Sequence, residues 1–354
     1  MDRYSYNSCR MEFIMQTMKV AIARQFKAPV SIEEAPIPVP GWGEVLVKVV
    51  ASGVCHTDLH AIDGDWPVKP ALPLIPGHEG VGHVVAIGPG VEGLKEGDAV
   101  GVPWLHHACR ACEYCESGWE TLCEKQANTG YSVNGGYAEY VIASAPFVGH
   151  LPAQTDFVSM APILCAGVTV YKGLKETEAR AGEWVVISGI GGLGHVAVQY
   201  AKAMGLQVIG IDIGAPKLKL AKSLGADIAL DATDPDLVQA VQRETGGGAH
   251  GVLVTAVSPA AFGQAISCAR RRATVSLVGL PPGDFPAPIF DVVLKRITIR
   301  GSIVGTRRDL SEAIAFAAQG KVKAQVASRP LDEVNDVLDG LRAGRIEGRV
   351  ALTM

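Results

Sequence analysis

Short apolar runs separated by glycine and proline dominate the first half of the chain. From Met18 to about Leu164 these runs are VAIARQF, VLVKVV, VGHVVAIG, GDAVGV and YAEYVIA. Runs of about four to eight β-favouring residues between turn-forming residues predict β-strands. Residues 18–164 are therefore predicted to form a β-rich region.

At about Cys165 the pattern changes to apolar strands that alternate with helical stretches. Six short buried strands are predicted at WVVIS, QVIGID, DIALD, GVLVTAV, TVSLVG and TIRGSIVG, and a helical stretch follows each of the first five. This alternation predicts an α/β fold with a doubly wound parallel sheet.

The end of the chain departs from this alternation. After about Ile303 a last helix is predicted at DLSEAIAFAAQG, followed by a short β-rich tail that folds back on the first region. The sequence thus predicts one domain from residues 18–164 and 303–354, with a second domain, residues 165–302, inserted into it. Residues 1–17 have no periodic pattern and are predicted to be a flexible extension.

Composition and charge narrow the class of ligand. Of 354 residues, 48% are hydrophobic and 19% are charged, which excludes a disordered chain. The formal net charge is −4, so the chain has no excess of positive charge that would attract nucleic acid or an anionic membrane surface. No run approaches the roughly 18 to 20 apolar residues of a membrane span, and the N-terminus has no apolar signal-peptide core. We therefore expect a cytoplasmic protein whose partner is a small molecule.

A glycine-rich turn follows the first predicted strand of the parallel sheet. Residues 189–194 form a G-x-G-x-x-G motif, and an amphipathic helix follows with apolar positions from Leu193 to Met204. This order of strand, turn and helix N-terminus is typical of a dinucleotide-binding site. The next strand ends at Asp212, whose carboxylate can bind an adenosine ribose and repel a 2′-phosphate, which favours NAD over NADP. Lys217 is close enough in sequence to reach the same ribose. The alternative is a structural glycine turn beside a surface aspartate.

Four cysteines lie at fixed, short spacings in the β-rich region. They form C-x2-C-x2-C-x7-C, with members Cys109, Cys112, Cys115 and Cys123. This spacing indicates a closed tetrahedral metal site, which is structural because four thiolates leave no position for substrate. The alternatives are two disulfides or four free thiols.

A second candidate metal site is dispersed along the chain. Cys55 lies in GVCHTDLH, His78 in PGHEG and Cys165 in APILCAG. Each alone could be an ordinary buried cysteine or histidine. However, polar residues crowd Cys55, a Pro-Gly turn precedes His78, and Cys165 marks the change in pattern where a cleft is expected. Two cysteines and a histidine with an open fourth position form one known type of catalytic zinc site.

These residues belong to a longer resemblance. The segment from Gly77 to Val91 matches the G-H-E-x2-G-x5-G-x2-V motif of zinc-containing alcohol dehydrogenases of the medium-chain dehydrogenase/reductase superfamily. CHTDLH, HAIDGDWP, ACEYCESG, APILCAGVTVYKGLK and GGLGHVAVQYAKAMG resemble its yeast and bacterial branch, so that the similarity spans about residues 18–354. The resemblance implies a Rossmann coenzyme domain, a GroES-like catalytic domain and a homotetramer.

The resemblance also implies metal ligands and a proton path. The ligands of a catalytic zinc are Cys55, His78 and Cys165, with Glu79 as an alternative ligand. Asp58 accepts a hydrogen bond from His78. The ligands of a structural zinc are Cys109, Cys112, Cys115 and Cys123. Thr57 takes the alcohol proton, and His60 passes it to solvent by way of the nicotinamide ribose.

Coenzyme and substrate contacts follow from the same resemblance. The coenzyme contacts are His56, Thr169, Gly189, Gly191, Gly192, Leu193, Gly194, Asp212, Lys217, Val278 and Arg349. His56 contacts the pyrophosphate, where other branches of the family carry arginine. Trp66 and Trp104 resemble the paired tryptophans that narrow the alcohol pocket, although two such residues can also belong to the core of a β-domain.

Three functions compete at this point. The first is the reversible oxidation of small, ethanol-like primary alcohols to aldehydes, with hydride transfer to NAD and two zinc ions per chain. The second is a related polyol or threonine dehydrogenase, which a pocket walled by indoles disfavours. The third is a zinc- and nucleotide-binding regulator without turnover, which would be marked by loss of Cys55, His78, Thr57 or His60; all four are present.

Overall fold

The computed structural model describes residues 16–354. The extension predicted for residues 1–17 therefore lies outside the described residues, except for its last two positions. Of these, Thr17 already belongs to the first strand.

The described residues form strands and helices along their whole length. The strands are β1 (Thr17–Ile22), β2 (Ser31–Pro36), β3 (Glu44–Val54), β4 (Gly80–Ile87), β5 (Ala99–Val102), β6 (Leu105–His107), β7 (Ala127–Asn128), β8 (Tyr140–Ser144), β9 (Gly149–His150), β10 (Trp184–Ser188), β11 (Gln207–Asp212), β12 (Ile228–Asp231), β13 (Ala249–Val254), β14 (Ala269–Leu277), β15 (Thr298–Gly301), β16 (Val326–Pro330) and β17 (Arg349–Thr353). The helices are α1 (His56–Asp63), α2 (Glu113–Glu116), α3 (Phe157–Met160), α4 (Ala166–Glu176), α5 (Gly194–Ala203), α6 (Ala215–Ser223), α7 (Leu237–Thr245), α8 (Pro259–Cys268), α9 (Ile289–Lys295), α10 (Arg307–Ala318) and α11 (Val334–Arg342). Short 3-10 turns cover Glu120–Leu122, Ala145–Phe147, Ala161–Leu164 and Leu331–Glu333.

A six-stranded parallel sheet occupies the middle of the chain, in the order β12-β11-β10-β13-β14-β15. Most residues of its central strands are buried, and Val186, Ile209 and Val252 are fully so, as expected for a sheet covered on both faces. A helix follows each of the first five strands. The predicted doubly wound α/β fold is therefore confirmed. The strand order reverses between β10 and β13, and sheets of this kind bind ligands at the carboxyl ends of the strands at that point.

Three strands of this sheet differ from the prediction by more than one residue. β15 ends at Gly301, before the last four residues of the predicted run TIRGSIVG. β14 begins at Ala269, five residues before the predicted run TVSLVG, with an irregular register against β13. β13 ends at Val254, before the last three residues of the predicted run GVLVTAV, and the next residue, Thr255, donates a hydrogen bond from its hydroxyl to the Gly189 carbonyl at 2.7 Å.

The second large sheet combines strands from residues 44–150 with β16 and β17. Its order is β16-β17-β3-β4-β5-β9, and β8 also pairs with β3. β17 runs antiparallel to β3, with Ala351 opposite Gly53. The predicted β-rich character of residues 18–164 is confirmed, although VAIARQF forms a strand only as far as Ile22.

One apolar core connects the two sheets. Val81 of the second sheet and Val185 of the parallel sheet belong to the same buried cluster, together with the helices between them. Tyr200 of α5 donates a hydrogen bond to the carbonyl of Ala313 in α10 at 2.9 Å. No single helix in residues 16–354 is long and apolar enough to cross a membrane. Only the helical turns over 157–164 taken together with α4, which meet at 45°, have that length and composition.

Candidate functional site

Four metal-binding side chains converge from three parts of the chain. Cys55 lies between β3 and α1, His78 and Glu79 precede β4, and Cys165 precedes α4. One ligand atom from each of the four residues lies within 4.8 Å of all the others. Ligand atoms this close to one another can bind the same Zn²⁺ ion, whose bonds to sulfur and nitrogen are about 2.0–2.3 Å long. The structure therefore brings together the three predicted ligands and the predicted alternative ligand, and we call these four residues the Cys55 cluster.

The carboxylate of Asp58 organises the Cys55 cluster. Its Oδ1 accepts hydrogen bonds from His78 Nδ1 at 2.8 Å and from the Gly77 amide at 3.2 Å. Its Oδ2 accepts from the Cys55 amide and from the Tyr137 hydroxyl, both at 2.9 Å. Burial and the neighbouring Asp58 raise the pKa of Tyr137 well above its ordinary value, so that the phenol keeps its proton and donates. One buried carboxylate thus holds the imidazole of one ligand and the backbone of another.

The Cys55 cluster has buried ligand atoms without hydrogen-bond partners. His78 Nδ1 donates to Asp58, and Nε2, the ring nitrogen left to bind a metal, is buried with no hydrogen-bond partner in the described part of the chain. Glu79 Oε2 is also buried without one. The hydrogen bond between the two thiols lowers the pKa of Cys55 well below its ordinary value and raises that of Cys165. A cation would stabilise all these groups at once, and two thiols with an imidazole suit a soft divalent ion such as Zn²⁺.

A buried ion pair connects the Cys55 cluster with the last strand. Glu79 Oε1 pairs with Nη2 of Arg349, the first residue of β17. Burial raises the pKa of Glu79 to about 7, although Arg349 acts in the opposite direction. A Cβ at Gly192 would lie 3.2 Å from Arg349 Cδ, so this side chain also borders the glycine-rich turn. Arg349 therefore lies between the two candidate sites.

Both residues of the predicted proton path lie on α1. Thr57 Oγ1 is 3.8 Å from Cys55 Sγ, at the edge of the Cys55 cluster. His60 Nδ1 is 2.9 Å from Asp65 Oδ1, and its ring stacks on Trp66 with centroids 5.0 Å apart. The His60 side chain is 29% exposed, which gives it access to water.

Three aromatic rings form a continuous wall beside the Cys55 cluster. The centroids of Trp66 and Trp104 are 6.4 Å apart, and Tyr131 lies 5.5 Å from each of them. The Trp104 ring meets the His78 ring edge-on at 5.4 Å. We call Trp66, Trp104 and Tyr131 the aromatic wall; it runs from a candidate metal ligand to His60.

The four spaced cysteines also converge. The thiol sulfurs of Cys109, Cys112, Cys115 and Cys123 lie within 4.8 Å of one another, and all four are free thiols. The Cys109 amide donates to Cys123 Sγ at 3.4 Å, and a hydrogen bond from the Ala111 backbone lowers the pKa of Cys109 to about 6. The donor set fits a closed tetrahedral zinc site. We call residues 109–123 the cysteine lobe.

Two contacts fasten the cysteine lobe to the helices behind the Cys55 cluster. Arg307, at the start of α10, donates from Nε to Glu120 Oε1 at 2.7 Å. The ammonium group of Lys172 in α4 lies 4.3 Å above the ring of Trp119. The lobe therefore supports α4, the helix that begins after Cys165.

The glycine-rich turn, residues 189–194, connects β10 with α5. Gly189 has a φ of +97°, and a Cβ there would lie 2.7 Å from the Ala256 amide nitrogen. A Cβ at Gly194 would collide with the Gly189 carbonyl. At Gly191, by contrast, no described atom lies within 4 Å of a Cβ position, apart from the adjoining residues. The first and last glycines thus close the turn, while the middle of the turn leaves room for a phosphate group to approach the backbone.

Asp212 lies beside this turn at the end of β11. Its Oδ2 accepts a hydrogen bond from the Ile190 amide at 2.5 Å, and its Oδ1 is 3.2 Å from Lys217 Nζ. The structure therefore places the predicted ribose-binding pair next to the predicted phosphate-binding turn.

The remaining predicted coenzyme residues lie on the elements around these two sites. Thr169 is buried on α4, where its amide donates to the Cys165 carbonyl at 2.9 Å. Val278 follows β14 and packs against α4 at Gly173. His56 is the first residue of α1, Leu193 caps α5, and neither is involved in the metal clusters.

Sequence reasoning missed four residues that contact predicted site residues. They are Asp65, Tyr131, Tyr137 and His195. Tyr131 and Tyr137 reach their partners across the fold. Asp65 and His195 had local signals, because Asp65 follows His60 by five residues and His195 comes directly after the last glycine of the motif.

Two family models match the sequence. Residues 41–153 match the alcohol dehydrogenase GroES-like domain, and residues 192–319 match the zinc-binding dehydrogenase model.

Individual proteins resemble the chain over almost its whole length. It is 60% identical to an alcohol dehydrogenase of Rhizobium meliloti, over 96% of this chain and 99% of that protein. Its structure resembles the alcohol dehydrogenase of the archaeon Aeropyrum pernix, with a TM-score of 0.86 and 36% identity over 95% of this chain and 100% of that one. It also resembles an acetophenone reductase of Geotrichum candidum in complex with NAD, with a TM-score of 0.83 and 30% identity over 96% and 97% of the two chains.

Proposed function

The chain belongs to the zinc-containing alcohol dehydrogenases, and on this premise we propose that it oxidises small primary alcohols to aldehydes and catalyses the reverse reduction. The observation that carries the choice of substrate is the aromatic wall beside His78. Its rings offer apolar surface to a short alcohol. A polyol would lose its hydration there without gaining hydrogen-bond partners.

Zinc and NAD are the cofactors of this reaction. We assign one zinc to the Cys55 cluster and one to the cysteine lobe. The zinc of the cysteine lobe has a structural role, because four thiols complete its coordination shell and leave no position for substrate. Zinc at the Cys55 cluster supplies a Lewis acid that makes an alcohol hydroxyl more acidic. NAD supplies the two-electron acceptor that takes a hydride.

Thr57 and His60 remove the hydroxyl proton in this proposal. The Thr57 hydroxyl, at the edge of the Cys55 cluster, accepts the proton first. His60 then passes it to water, to which its ring is partly exposed. Asp65 holds His60 Nδ1, so that Nε2 is the ring nitrogen left for proton exchange.

The coenzyme binds along the parallel sheet in this proposal. Asp212 and Lys217 bind the adenosine ribose, which favours NAD over NADP. The glycine-rich turn, together with His56 and Arg349, binds the pyrophosphate, and Thr169 and Val278 contact the nicotinamide end. The open space at Gly191 and the adjacent Asp212 carboxylate support this arrangement.

Steady-state kinetics of the zinc-loaded protein with ethanol, butanol, benzyl alcohol, sorbitol and threonine test the choice of substrate. We expect kcat/KM for the primary alcohols to exceed that for sorbitol and threonine by about 100-fold or more. A preference for sorbitol would overturn the proposal. Trp66→Ala should shift the preference toward benzyl alcohol, whereas Trp42→Ala, at a residue that is 81% exposed, should leave it unchanged.

We further propose the arrangement of the chain and its assembly. Residues 18–164 and 303–354 form the catalytic domain around the second sheet, and residues 165–302 form the coenzyme domain around the parallel sheet. A homotetramer is supported by the apolar face of α9, where Ile289, Phe290, Val293 and Leu294 are 66–81% exposed, and by β15, which is an edge strand. A cytoplasmic location suits the seven cysteines in the described residues, all of which are free thiols.

A further inference from the structure

His195 is a buried histidine that neither the metal clusters nor the proton path uses. It is the second residue of α5 and fully buried. Its Nδ1 lies 3.0 Å from the Gly191 carbonyl oxygen, in the glycine-rich turn. Its Nε2 accepts a hydrogen bond from the Gln325 amide at 3.0 Å. The ring thus connects the turn with a segment 130 residues further along the chain.

The two partners determine the proton position on this ring. A carbonyl oxygen only accepts and a backbone amide only donates, so Nδ1 carries the hydrogen and Nε2 the lone pair. Burial lowers the pKa of His195 to about 4, which keeps the ring neutral. His195 therefore makes both hydrogen bonds in a single tautomer and a single orientation.

The segment held by His195 leads to Arg349. The Gln325 carbonyl accepts a hydrogen bond from the Arg349 amide at 2.9 Å. The Arg349 side chain returns to the glycine-rich turn, where it borders Gly192. Gly191, His195, Gln325, Arg349 and Gly192 thus form a closed ring of contacts.

We propose that His195 is a positioning residue for the coenzyme: it holds the glycine-rich turn and Arg349 in one arrangement, so that backbone amides and guanidinium face the same pyrophosphate. The proposal rests on the proposed coenzyme site. His195 itself is buried behind the turn and acts through Gly191 and Arg349. Pre-organisation of this kind improves affinity because the bound arrangement need not be formed at the moment of binding.

Gln199 provides a matched control on the same face of α5. Its amide oxygen accepts from the Lys323 amide and its amide nitrogen donates to the Lys323 carbonyl, both at 2.9 Å. It fastens α5 to the segment that Gln325 belongs to, without a hydrogen bond to the glycine-rich turn. Loss of Gln199 tests general docking of that segment, whereas loss of His195 tests alignment of the turn.

The experiment measures NADH binding by fluorescence titration of the zinc-loaded, full-length protein, and then kcat and KM for NAD. His195→Phe should raise the Kd for NADH and the KM for NAD about tenfold, which corresponds to about 1.4 kcal/mol, while kcat falls no more than about twofold. His195→Gln, whose amide can restore one hydrogen bond, should lie between His195→Phe and the unmodified protein. Gln199→Leu should lower the thermal midpoint but keep the Kd within about twofold.

Three results would overturn the proposal. The first is a folded His195→Phe that binds NADH like the unmodified protein. The second is a Gln199→Leu that weakens NADH binding as much as His195→Phe does. The third is an unmodified protein that does not bind NADH. This third result would also overturn the proposed coenzyme site, whereas the first two would overturn only the role of His195. If His195→Phe does not fold, an unchanged Kd in His195→Gln counts against the proposal.

Discussion

The two oxygens of Asp58 accept four hydrogen bonds, and none of the donors is exposed to water. Removing the carboxylate would leave buried donors on Tyr137, His78 and the backbone without partners, at about 1–3 kcal/mol each. Asp58 therefore supports folding and metal binding together, and a variant at this position cannot separate the two. More informative variants lie at the edge of the site.

His60 allows such a separation. In His60→Ala we expect turnover to fall about 10- to 100-fold near pH 6 and less near pH 9, because hydroxide can take over proton removal at high pH. The zinc content should stay the same, because His60 is outside the Cys55 cluster. The measurements are kcat as a function of pH and the metal content by elemental analysis.

The control for this prediction is His150→Ala, at an exposed histidine in β9 that belongs to neither metal cluster. It should keep the pH profile of the unmodified protein. A His60→Ala loss that is equal at pH 6 and pH 9 would contradict a role in proton transfer.

Asp212 carries the prediction about coenzyme choice. In Asp212→Gly the ratio of kcat/KM for NAD to that for NADP should fall about 10- to 100-fold, because hydrogen bonds to a charged group are lost and the repulsion of a 2′-phosphate disappears. Asp231→Gly, at the end of the neighbouring strand, should leave the ratio unchanged. An unchanged ratio in Asp212→Gly would remove this residue from its assigned role.

His195 also makes stability depend on pH. Its ordinary pKa is 6.5 and its pKa in the folded protein is about 4. Between these values the unfolded chain binds a proton that the folded chain excludes, so the free energy of unfolding falls as the pH drops from about 6.5 to about 4, by about 3 kcal/mol from this residue alone. In His195→Gln this contribution is absent, which urea unfolding at pH 7 and pH 4.5 measures. Parallel changes in the two proteins would contradict the shift.

Residues found from sequence and residues missed differ in how their contacts are made. Cys55 and Asp58 were found because both lie in one motif, and the four spaced cysteines because their spacing is itself the signal. Tyr137 was missed because its hydroxyl meets Asp58 across the fold, 79 residues away. Contacts of this kind depend on the packing of distant elements, which a single sequence does not display.

Among the elements, α1 concentrates the most chemistry. Cys55 is its N-cap residue, and the side chain of Asp58 accepts the Cys55 amide hydrogen in a capping box. The same contact begins the helix and orients a candidate metal ligand, while Thr57 and His60 follow within the next turns. The short motif CHTDLH therefore determines both a helix start and a metal site.

The cysteine lobe is the element whose stability depends most on metal. In Cys112→Ser we expect one zinc per chain to be lost and the melting temperature to fall by about 10 °C, because a structural metal contributes several kcal/mol to folding. Cys268→Ser, at a buried cysteine outside both clusters, should keep two zinc ions. Elemental analysis and calorimetry measure the two effects, and two zinc ions in Cys112→Ser would contradict the site.

Strands were predicted well where they are buried on both faces, as in the parallel sheet, because a continuous apolar run between turns is a strong signal. Strands such as β2 and β7 were missed. β2 has no apolar run, because its partly buried positions are Glu33 and Ala35 while Ile32 is exposed, and β7 has only two residues. These strands form because a neighbouring strand supplies hydrogen-bond partners for their backbone groups.

At the scale of the molecule, the exposed face of α9 carries the prediction about assembly. We expect the unmodified protein to have the mass of four chains, and the double variant Phe290→Asp, Val293→Asp to form smaller species, because charges at a buried interface are costly. Val39→Asp, at a residue exposed elsewhere, should keep the assembly. Sedimentation velocity distinguishes these cases, and an unchanged mass in the double variant would show that this face is not an interface.

The place of β17 in the second sheet affects how the protein is made. β17 lies between β16 and β3, and its first residue supplies the guanidinium that pairs with Glu79. On the ribosome, the strands of the parallel sheet are complete and can pair while β17 is still unsynthesised. The second sheet instead waits for a strand almost 300 residues after β3. A chain released a few residues early would therefore contain every cysteine and histidine of both metal clusters, yet lack the strand that completes the sheet around them.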